Sequence, residues 1–489
     1  MTTLSITKVN ETYIKVLAEP YIQAELSEFF TFQVPGYRFM PAYRARKWDG
    51  KLRLYSKATG KIYQGLLSYI YAFAKDREYK IDIEEGVYYN SKINKKDSDD
   101  FCNSLKPKSN GKDIEVRDYQ LQAVYQVLKR HKLLLLSPTA SGKSLIIYCM
   151  IRFFRMLNLK ILVIVPTTSL VEQMYSDFVD YNMPKEMAHK IYSGKEKTDE
   201  AKVFISTWQS IYKLPKIWFS QFGAVFGDEC HGFKSKSLMN IMNKATEAEY
   251  RYGTTGTLDG TQTHELVLQG LFGKTYKVTT TKDLQINEVL AELNIKRVVL
   301  NYNKKVRDDF GQKTYREEID FIVDYEKRNK FIANLTLDQK GNTLLLFNYV
   351  ERHGKPLFDL INSKVDEKRK VFFVSGNTQT SDREAIRGIV EKQKNAIIVA
   401  SLGTFSTGIN IRNLHNIVFA SPSKSQIRVL QSIGRGLRKS ENGAPTKLFD
   451  IIDNLCSKPR KNFAMLHADE RLKIYEREKF MFNTFEIDL

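Results

Sequence analysis

The sequence predicts an α/β protein with two parallel-sheet domains preceded by a small α+β domain. Three observations carry that reading. Short, continuously apolar runs recur along most of the chain, each closed by turn residues. Amphipathic helical patterns lie between them, as in sheets covered on both faces. The texture breaks twice, at a polar stretch near residue 100 and at a less regular stretch near 275–320. The 489 residues also exceed what one core carries.

Residues 1–112 mix short strand-like and helix-like stretches. Within them, 92–111 (KINKKDSDDFCNSLKPKSNG) is polar and turn-rich and reads as a linker or domain boundary. Residues 113–283 form the first parallel-sheet domain, with strands at KLLLLSP, KILVIVP, KVFIST and AVFGDE. The stretch DYQLQAVYQVLK between them has a helical period, with Leu121, Val124, Tyr125 and Leu128 on one face. Residues 284–459 repeat the pattern with TLLLFN, KVFFVSG, AIIVAS, NIVFAS and KLFDIID. Residues 460–489 are rich in charge and aromatics and read as a closing helical tail.

Composition narrows the function class. The chain is 42% hydrophobic, which excludes a disordered or collagen-like protein. The formal net charge of +20 points to a polyanionic partner, nucleic acid first. The apolar runs are too short for a membrane helix, and no signal-peptide pattern opens the chain. The four cysteines show no CxxC spacing, which argues against a disulfide framework or a cysteine zinc site. A reduced cytosolic setting is expected.

The sharpest local signal is LLLLSPTASGKSLIIYCM, an apolar strand, a tight loop and an apolar helix. Such a loop, here Pro138, Thr139, Ala140, Ser141 and Gly142, points the backbone N–H groups that follow the proline at phosphate oxygens. Lys143 supplies the cation for the β- and γ-phosphates, Ser144 a hydroxyl for Mg²⁺, and the helix N-terminus its dipole. Ser137 stands where the usual pattern has its first glycine. Farther on, AVFGDECH ends a strand with two carboxylates, and ligands bind at strand ends on the carboxyl edge of a parallel sheet. Asp228 suits the metal, and Glu229 suits the attacking water. The stretch QSIGRGLRK places Arg435 and Arg438 three apart, where a helix would turn both to one γ-phosphate, flanked by Gln431. These residues imply a nucleotide's β- and γ-phosphates with Mg²⁺, and the family resemblance given below makes the nucleotide ATP.

A basic cluster lies outside those motifs. Residues 38–61 hold eight Lys or Arg against Asp49 alone, a local charge of +7. Tyr37, Tyr43, Trp48 and Tyr55 are interleaved with them. Arg44, Arg46, Lys47, Lys51 and Arg53 would hold a nucleic-acid backbone while Trp48 stacks on an exposed base or packs into its own domain. WDGK reads as the turn of a hairpin.

Together the motifs resemble a known family. SPTASGKS, PTTSLVEQ, TWQS, DECH, GTTGT, ASLGTFSTGIN and QSIGRGLR occur in the order of motifs I, Ia, Ib, II, III, V and VI of superfamily-two helicases and translocases. RDYQ resembles their adenine-reading motif, with Gln120 as reader. RARKWDGKLRLY resembles a segment ahead of the motor in recombination helicases of T-even phages. The resemblance implies two RecA-like domains in a helicase core. It implies strand contacts at Pro166, Thr167, Thr207, Ser401 and Thr404, and coupling residues at His231, Thr255, Thr257 and Gly408. GTTGT replaces the family's commoner TAT or SAT, and Asn410 replaces its aspartate. The implied activity is ATP-dependent unwinding and migration of branched DNA in recombination, repair and replication control. The implied partners are branched or duplex DNA, RNA–DNA hybrid, and single-strand-binding or recombination proteins. A monomer in the cytosol, the host's if the gene is a phage's, is the expected setting.

The competing readings are an RNA-directed helicase and a double-stranded DNA translocase of the packaging or restriction kind. A packaging motor should carry a nuclease carboxylate cluster, for which Asp450 and Asp453 are the close acidic pair in the second domain.

Overall fold

The structure, a computed structural model, describes residues 3–489 apart from 90, 110, 139–140, 193, 195, 259, 287–291, 311–312, 409–410, 412, 422–444 and 457–460. The chain divides into two compact units, Met1–Ser137 with Gly142–Thr279, and Thr280–Leu489 with Pro138–Ser141.

The first unit begins with β1 (Thr3–Lys8) and β2 (Tyr13–Leu17), antiparallel with Ile6 opposite Val16. Strands β3 (Thr31–Gln33) and β4 (Lys51–Arg53) make a separate two-stranded ribbon, and β5 (Lys61–Tyr63) and β6 (Lys80–Ile83) complete a sheet of order β5-β2-β1-β6. Alternation does the sorting here. Leu4, Ile6, Ile14 and Val16 are fully buried, with Ile22 and Leu26 of helix Pro20–Phe29 and Ile70 and Phe73 of helix Leu67–Asp76.

A two-residue pair, β7 (Lys108–Ser109) with β8 (Lys112–Asp113), precedes the larger sheet. Its strands are β9 (Lys132–Leu136), β10 (Ile161–Val165), β11 (Ala188–Ile191), β12 (Val203–Thr207), β13 (Ala224–Gly227), β14 (Tyr250–Thr255) and β15 (Thr275–Lys277). All are parallel, in the order β11-β12-β10-β13-β14-β9-β15. β10, β12 and β13 are buried at every residue, which is why their runs are apolar without alternation.

The second unit repeats the plan. Its strands are β16 (Leu293–Asn301), β17 (Thr343–Phe347), β18 (Val371–Val374), β19 (Ile397–Ser401), β20 (Asn416–Phe419), β21 (Thr446–Asn454) and β22 (Met481–Asp488). They run parallel in the order β18-β19-β17-β20-β21-β16-β22. Two seven-stranded parallel sheets after a small mixed domain are the fold class read from the sequence.

Four readings of local structure need correction. The stretch 92–111 is not an open linker, because helix Lys95–Ser104 forms in it, capped by Asn94 and buried through Ser98 and Cys102. WDGK does not close a two-residue hairpin. β3 and β4 pair in the register Phe32 to Leu52, so residues 34–50 form one long excursion between them. Gly50 still has a turn role, at φ +79, where a Cβ would lie 2.4 Å from the Tyr37 ring. Tyr55 is core, 2% exposed, and donates its hydroxyl to the Val16 carbonyl at 3.1 Å. The closing segment is more than a helical tail, since helix Phe463–Arg477 is followed by β22, which joins the sheet beside β16.

The N-terminal sheet and the first parallel sheet share one core, in which Leu4, Ile6 and Phe73 cluster with Leu134, Leu162, Val225 and Phe272. Arg251 of β14 pins them. It is 1% exposed and donates to the Glu11 carbonyl at 3.1 Å, to Thr12 Oγ1 at 2.6 Å and to the Met242 carbonyl. Burial lowers this guanidinium to about 10, so it stays charged at neutral pH. Among the described residues no helix is long and apolar enough to cross a membrane.

Candidate functional site

The central strands of the first sheet deliver the motif residues to its carboxyl edge. β9 ends at Leu136 and leads through Ser137 to the loop that opens helix Lys143–Met156. Ser137 N–H donates to the Thr255 carbonyl at 2.8 Å, tying the loop's start to the end of β14. Gly142 takes φ +78, and a Cβ there would lie 2.2 Å from Gln120 Nε2. So the glycine serves two needs, a left-handed turn and room for Gln120. Gln120 is buried at the start of helix Asp118–Lys129, its Oε1 accepting from Arg117 N–H at 3.0 Å. Within the loop, Ser141 Oγ donates to the Pro138 carbonyl at 2.6 Å. Thr139 and Ala140 lie outside the described residues.

Lys143 Nζ donates to Glu229 Oε1 at 3.0 Å. Glu229 follows β13 in the left-handed region, φ 47 and ψ 46, a conformation costing a non-glycine residue about 1–3 kcal/mol. Its second oxygen lies 3.3 Å from His231 Nδ1, which lies 3.1 Å from Thr255 Oγ1. Thr255 donates its own hydroxyl hydrogen to the Thr257 carbonyl at 3.0 Å. His231 Nδ1 is therefore the donor toward both Thr255 and Glu229. A hydrogen-bonded chain thus runs Lys143–Glu229–His231–Thr255–Thr257 across the ends of β13 and β14.

Asp228 is 7% exposed and accepts from Thr254 Oγ1 at 2.7 Å. The two neighbouring carboxyls are pushed apart. Burial raises Asp228, and the Glu229 charge adds to that. Burial works against Glu229 too, but Lys143 and His231 hold it well below the usual carboxylate range. Lys143, despite burial, is held above its ordinary value by Glu229 and Asp228. The site therefore sits with the amine charged and Glu229 ionised. Ser144 Oγ is 3.0 Å from Tyr181 Oη.

Thr254 and Tyr181 were missed in the sequence. Thr254 was legible as the first hydroxyl of GTTGT, one residue before the one chosen. Nothing around Tyr181, thirty-seven residues after Ser144, marks it.

The other predicted residues fall into groups. β10 and β12 are neighbours with Val165 opposite Thr207, so Pro166, Thr167 and Thr207 share one edge. Thr167 caps helix Thr168–Asp180 through Leu170 N–H, and Thr207 Oγ1 is 2.9 Å from Ser210 Oγ. In the second unit, Ser401 Oγ donates to Thr404 Oγ1 at 2.6 Å, at the start of helix Leu402–Gly408. Gln431, Arg435 and Arg438 lie outside the described residues. Asp450 and Asp453 are no nuclease pair. Both are fully buried, Asp450 against Arg471 at 2.7 Å and Asp453 against Arg328 at 2.6 Å, where two guanidiniums neutralise them inside the core.

The excursion 34–50 gathers the basic cluster. Arg38, Tyr43, Arg44, Arg46, Lys47, Trp48 and Asp49 line a concavity of about 620 Å³. Arg44, Arg46, Lys47 and Lys51 are exposed. Arg53 is exposed too, but it donates to Asp49 at 3.2 Å, which neutralises part of its charge. Trp48 is half-buried and donates Nε1–H to the Lys51 carbonyl at 2.8 Å. Tyr37 and Tyr43 pack edge to face at 4.7 Å. The aromatic left open is Phe39, 77% exposed, which the sequence reading passed over.

Comparison with known proteins addresses the family and the fold. Residues 6–84 match the family described as DNA helicase UvsW, N-terminal. Residues 113–260 match the type III restriction enzyme res subunit, and residues 326–440 the helicase conserved C-terminal domain. The ATP-dependent DNA helicase uvsW of Enterobacteria phage T4 is 37% identical over 490 residues, covering 96% of both chains. The DNA 3'-5' translocase XPB2 of Sulfurisphaera tokodaii is 23% identical, covering 81% of this chain and 91% of its own. The crystal structure of T4 UvsW superposes with a TM-score of 0.53 at 34% identity, covering 99% of both chains. A type ISP restriction-modification enzyme, LlaBIII bound to DNA, shares the fold over 77% of this chain and 32% of its own, with a TM-score of 0.58 at 15% identity.

Proposed function

The chain belongs to the UvsW family of ATP-dependent DNA helicases, and we propose that it spends ATP to remodel branched DNA, unwinding R-loops, migrating branches and regressing forks in recombination, repair and replication control. The observation that supports this most is the chain Lys143–Glu229–His231–Thr255, which joins the phosphate loop to the motif implied in coupling.

The chemistry follows from the pairing. Lys143 donates to Glu229. Arriving β- and γ-phosphates offer that ammonium a stronger anion, so Lys143 moves to them. Glu229 is then released from one partner, its carboxyl rises toward the ordinary range, and it can orient and deprotonate a water. His231 still holds its other oxygen, so a shift of Glu229 is felt at Thr255. Gln120 reads the adenine. Arg435 and Arg438, with Gln431, are the groups that answer the γ-phosphate charge in the transition state.

Mg²⁺ fits the donor set. Such an ion takes one or two protein oxygens and completes its shell with phosphate and water. Asp228, aimed by Thr254, and Ser144, at a helix N-terminus, would hold it. When bound it neutralises charge on the β- and γ-phosphates. The strand contacts are Pro166, Thr167, Thr207, Ser401 and Thr404, and the exposed cations of 38–51 choose the branched substrate. The cytosol is the setting in which such DNA and ATP meet.

The test is ATP turnover measured with single strands, duplex, forks, four-way junctions, R-loops and RNA. Branched DNA is expected to stimulate most. Strongest stimulation by single-stranded RNA would overturn the choice of substrate.

A further inference from the structure

Within the second unit, the edge of the sheet away from these motifs carries its own charged surface. Five adjacent strands, in the order β18-β19-β17-β20-β21, are entered from loops at their amino ends. Those loops and strand starts hold Lys340, Lys364, Lys368, Lys370, Lys392, Lys394 and Lys447, all exposed. Exposed acids there are Asp338, Asp366 and Glu367. None of the seven lysines forms an ion pair among the described residues.

The loops are fastened to one another. Asn342 is fully buried. Its Nδ2 lies 2.8 Å from the Gln393 carbonyl and 2.9 Å from that of Asn413, and its Oδ1 accepts from Ala396 N–H at 2.8 Å. Its own N–H donates to His415 Nδ1 at 3.1 Å. Asn416 Nδ2 donates to the Lys340 carbonyl at 2.8 Å. The Arg369 guanidinium donates to the Leu337 and Gln339 carbonyls at 2.7 and 2.8 Å. Strands lie about 4.8 Å apart, so five neighbours span roughly 19 Å. The cations therefore stand on a stiff platform whose width suits a duplex.

We propose that this amino-edge platform is a second DNA-binding surface, which holds the phosphates of a duplex arm apart from the strand the motor tracks. Partner proteins anchor through apolar or aromatic side chains buried at the interface. None of the described loop residues carrying these lysines is a large exposed hydrophobic, so the surface offers charge without anchors. Ammonium groups without a carboxylate partner on a stiff base suit the closely spaced phosphates of duplex DNA, although Lys364 donates to Asn334 Oδ1 at 3.2 Å. A motor acting on branches has two or more arms to hold.

The experiment compares the full chain with K368E/K394E/K447E and with K368R/K394R/K447R. Binding to a four-way junction and to a single strand is measured across a salt series, with single-strand-stimulated ATP turnover alongside. The glutamate triple should bind the junction about tenfold or more weakly, with a salt slope lower by about 2–3, and keep single-strand turnover within about twofold. The arginine triple should behave as wild type. Unchanged junction affinity and slope would overturn the proposal. So would an equal loss on single strands, which would place these lysines on the motor's own track, or an equally defective arginine triple. Normal junction binding with lost retention of a polyglutamate peptide would assign the platform to an acidic protein instead. Wild-type turnover on single strands keeps this test separate from that of the motor itself.

Discussion

Asp228 and Glu229 are adjacent in sequence yet pushed in opposite directions, and the cause is which neighbours each one meets. Glu229 faces Lys143 and His231, while Asp228 faces the interior and a single hydroxyl, Thr254. Thr254→Val keeps the shape and removes the hydrogen bond to a buried carboxylate, a contact worth about 1.5–3 kcal/mol. ATP turnover should fall roughly ten- to a hundredfold in steady-state kinetics, by the same range. Unaltered turnover would show that Thr254 does not aim Asp228. His231→Ala should leave basal hydrolysis near wild type and abolish its stimulation by DNA, because it cuts the link from Glu229 to Thr255. Full stimulation in that variant would end its role in coupling.

At the scale of elements, the junction between the N-terminal sheet and the first parallel sheet carries an unusual cost. Lys132, at the start of β9, is mostly buried near Arg251 and reaches Glu11 at 3.3 Å and Gln64. Burial lowers its ammonium to about 7, against the pull of Glu11. In the unfolded chain a lysine keeps its proton to about 10.4. Between those values the unfolded state binds more protons, so stability should rise from about pH 7 to about pH 10. Below pH 7 both states are protonated and the full cost of burying the charge remains. Lys132→Met should flatten the rise when unfolding is followed by urea titration across that window. An undiminished rise would mean that other groups cause it.

The same elements show what was legible in the sequence. β10, β12 and β13 declare themselves because strands covered on both faces must be apolar throughout. Helix Lys95–Ser104 hides because it is short and rich in Lys and Asp, and turns only Ser98 and Cys102 fully inward, with Phe101 half-buried against Phe153. β22 hides for a related reason. As an edge strand it is exposed at most of its residues, so no burial pattern is written into it. The site divides likewise. Asp228 and Glu229 follow from residue type at a strand end, Lys143 from the loop before a helix and His231 only from the family resemblance, whereas Tyr181 meets Ser144 only through the packing of the helices. The excursion 34–50 was legible as charge and illegible as shape, because its turns are irregular and Arg46 adopts φ 54.

For the whole molecule, the net charge of +20 resolves into parts with different duties. One part is Lys143, proposed above to meet nucleotide phosphate. A second lines the concavity of Arg38, Arg44, Arg46 and Lys47. Arg44→Ala, Arg46→Ala and Lys47→Ala together should weaken binding to branched DNA and lower the salt slope by about 2–3. Equal affinity and equal slope would remove this surface from substrate choice.

In the proposed cycle Glu229 is the residue that turns nucleotide binding into hydrolysis. Glu229→Gln keeps the size and the hydrogen-bonding reach of the side chain and removes its basicity. Nucleotide binding and DNA-stimulated hydrolysis measured on the same preparation test this directly. The variant should bind ATP at least as tightly as wild type, since Lys143 loses its competing carboxylate, and should hydrolyse it about 10²–10⁴-fold more slowly. Hydrolysis at the wild-type rate with ATP bound would exclude Glu229 as the base.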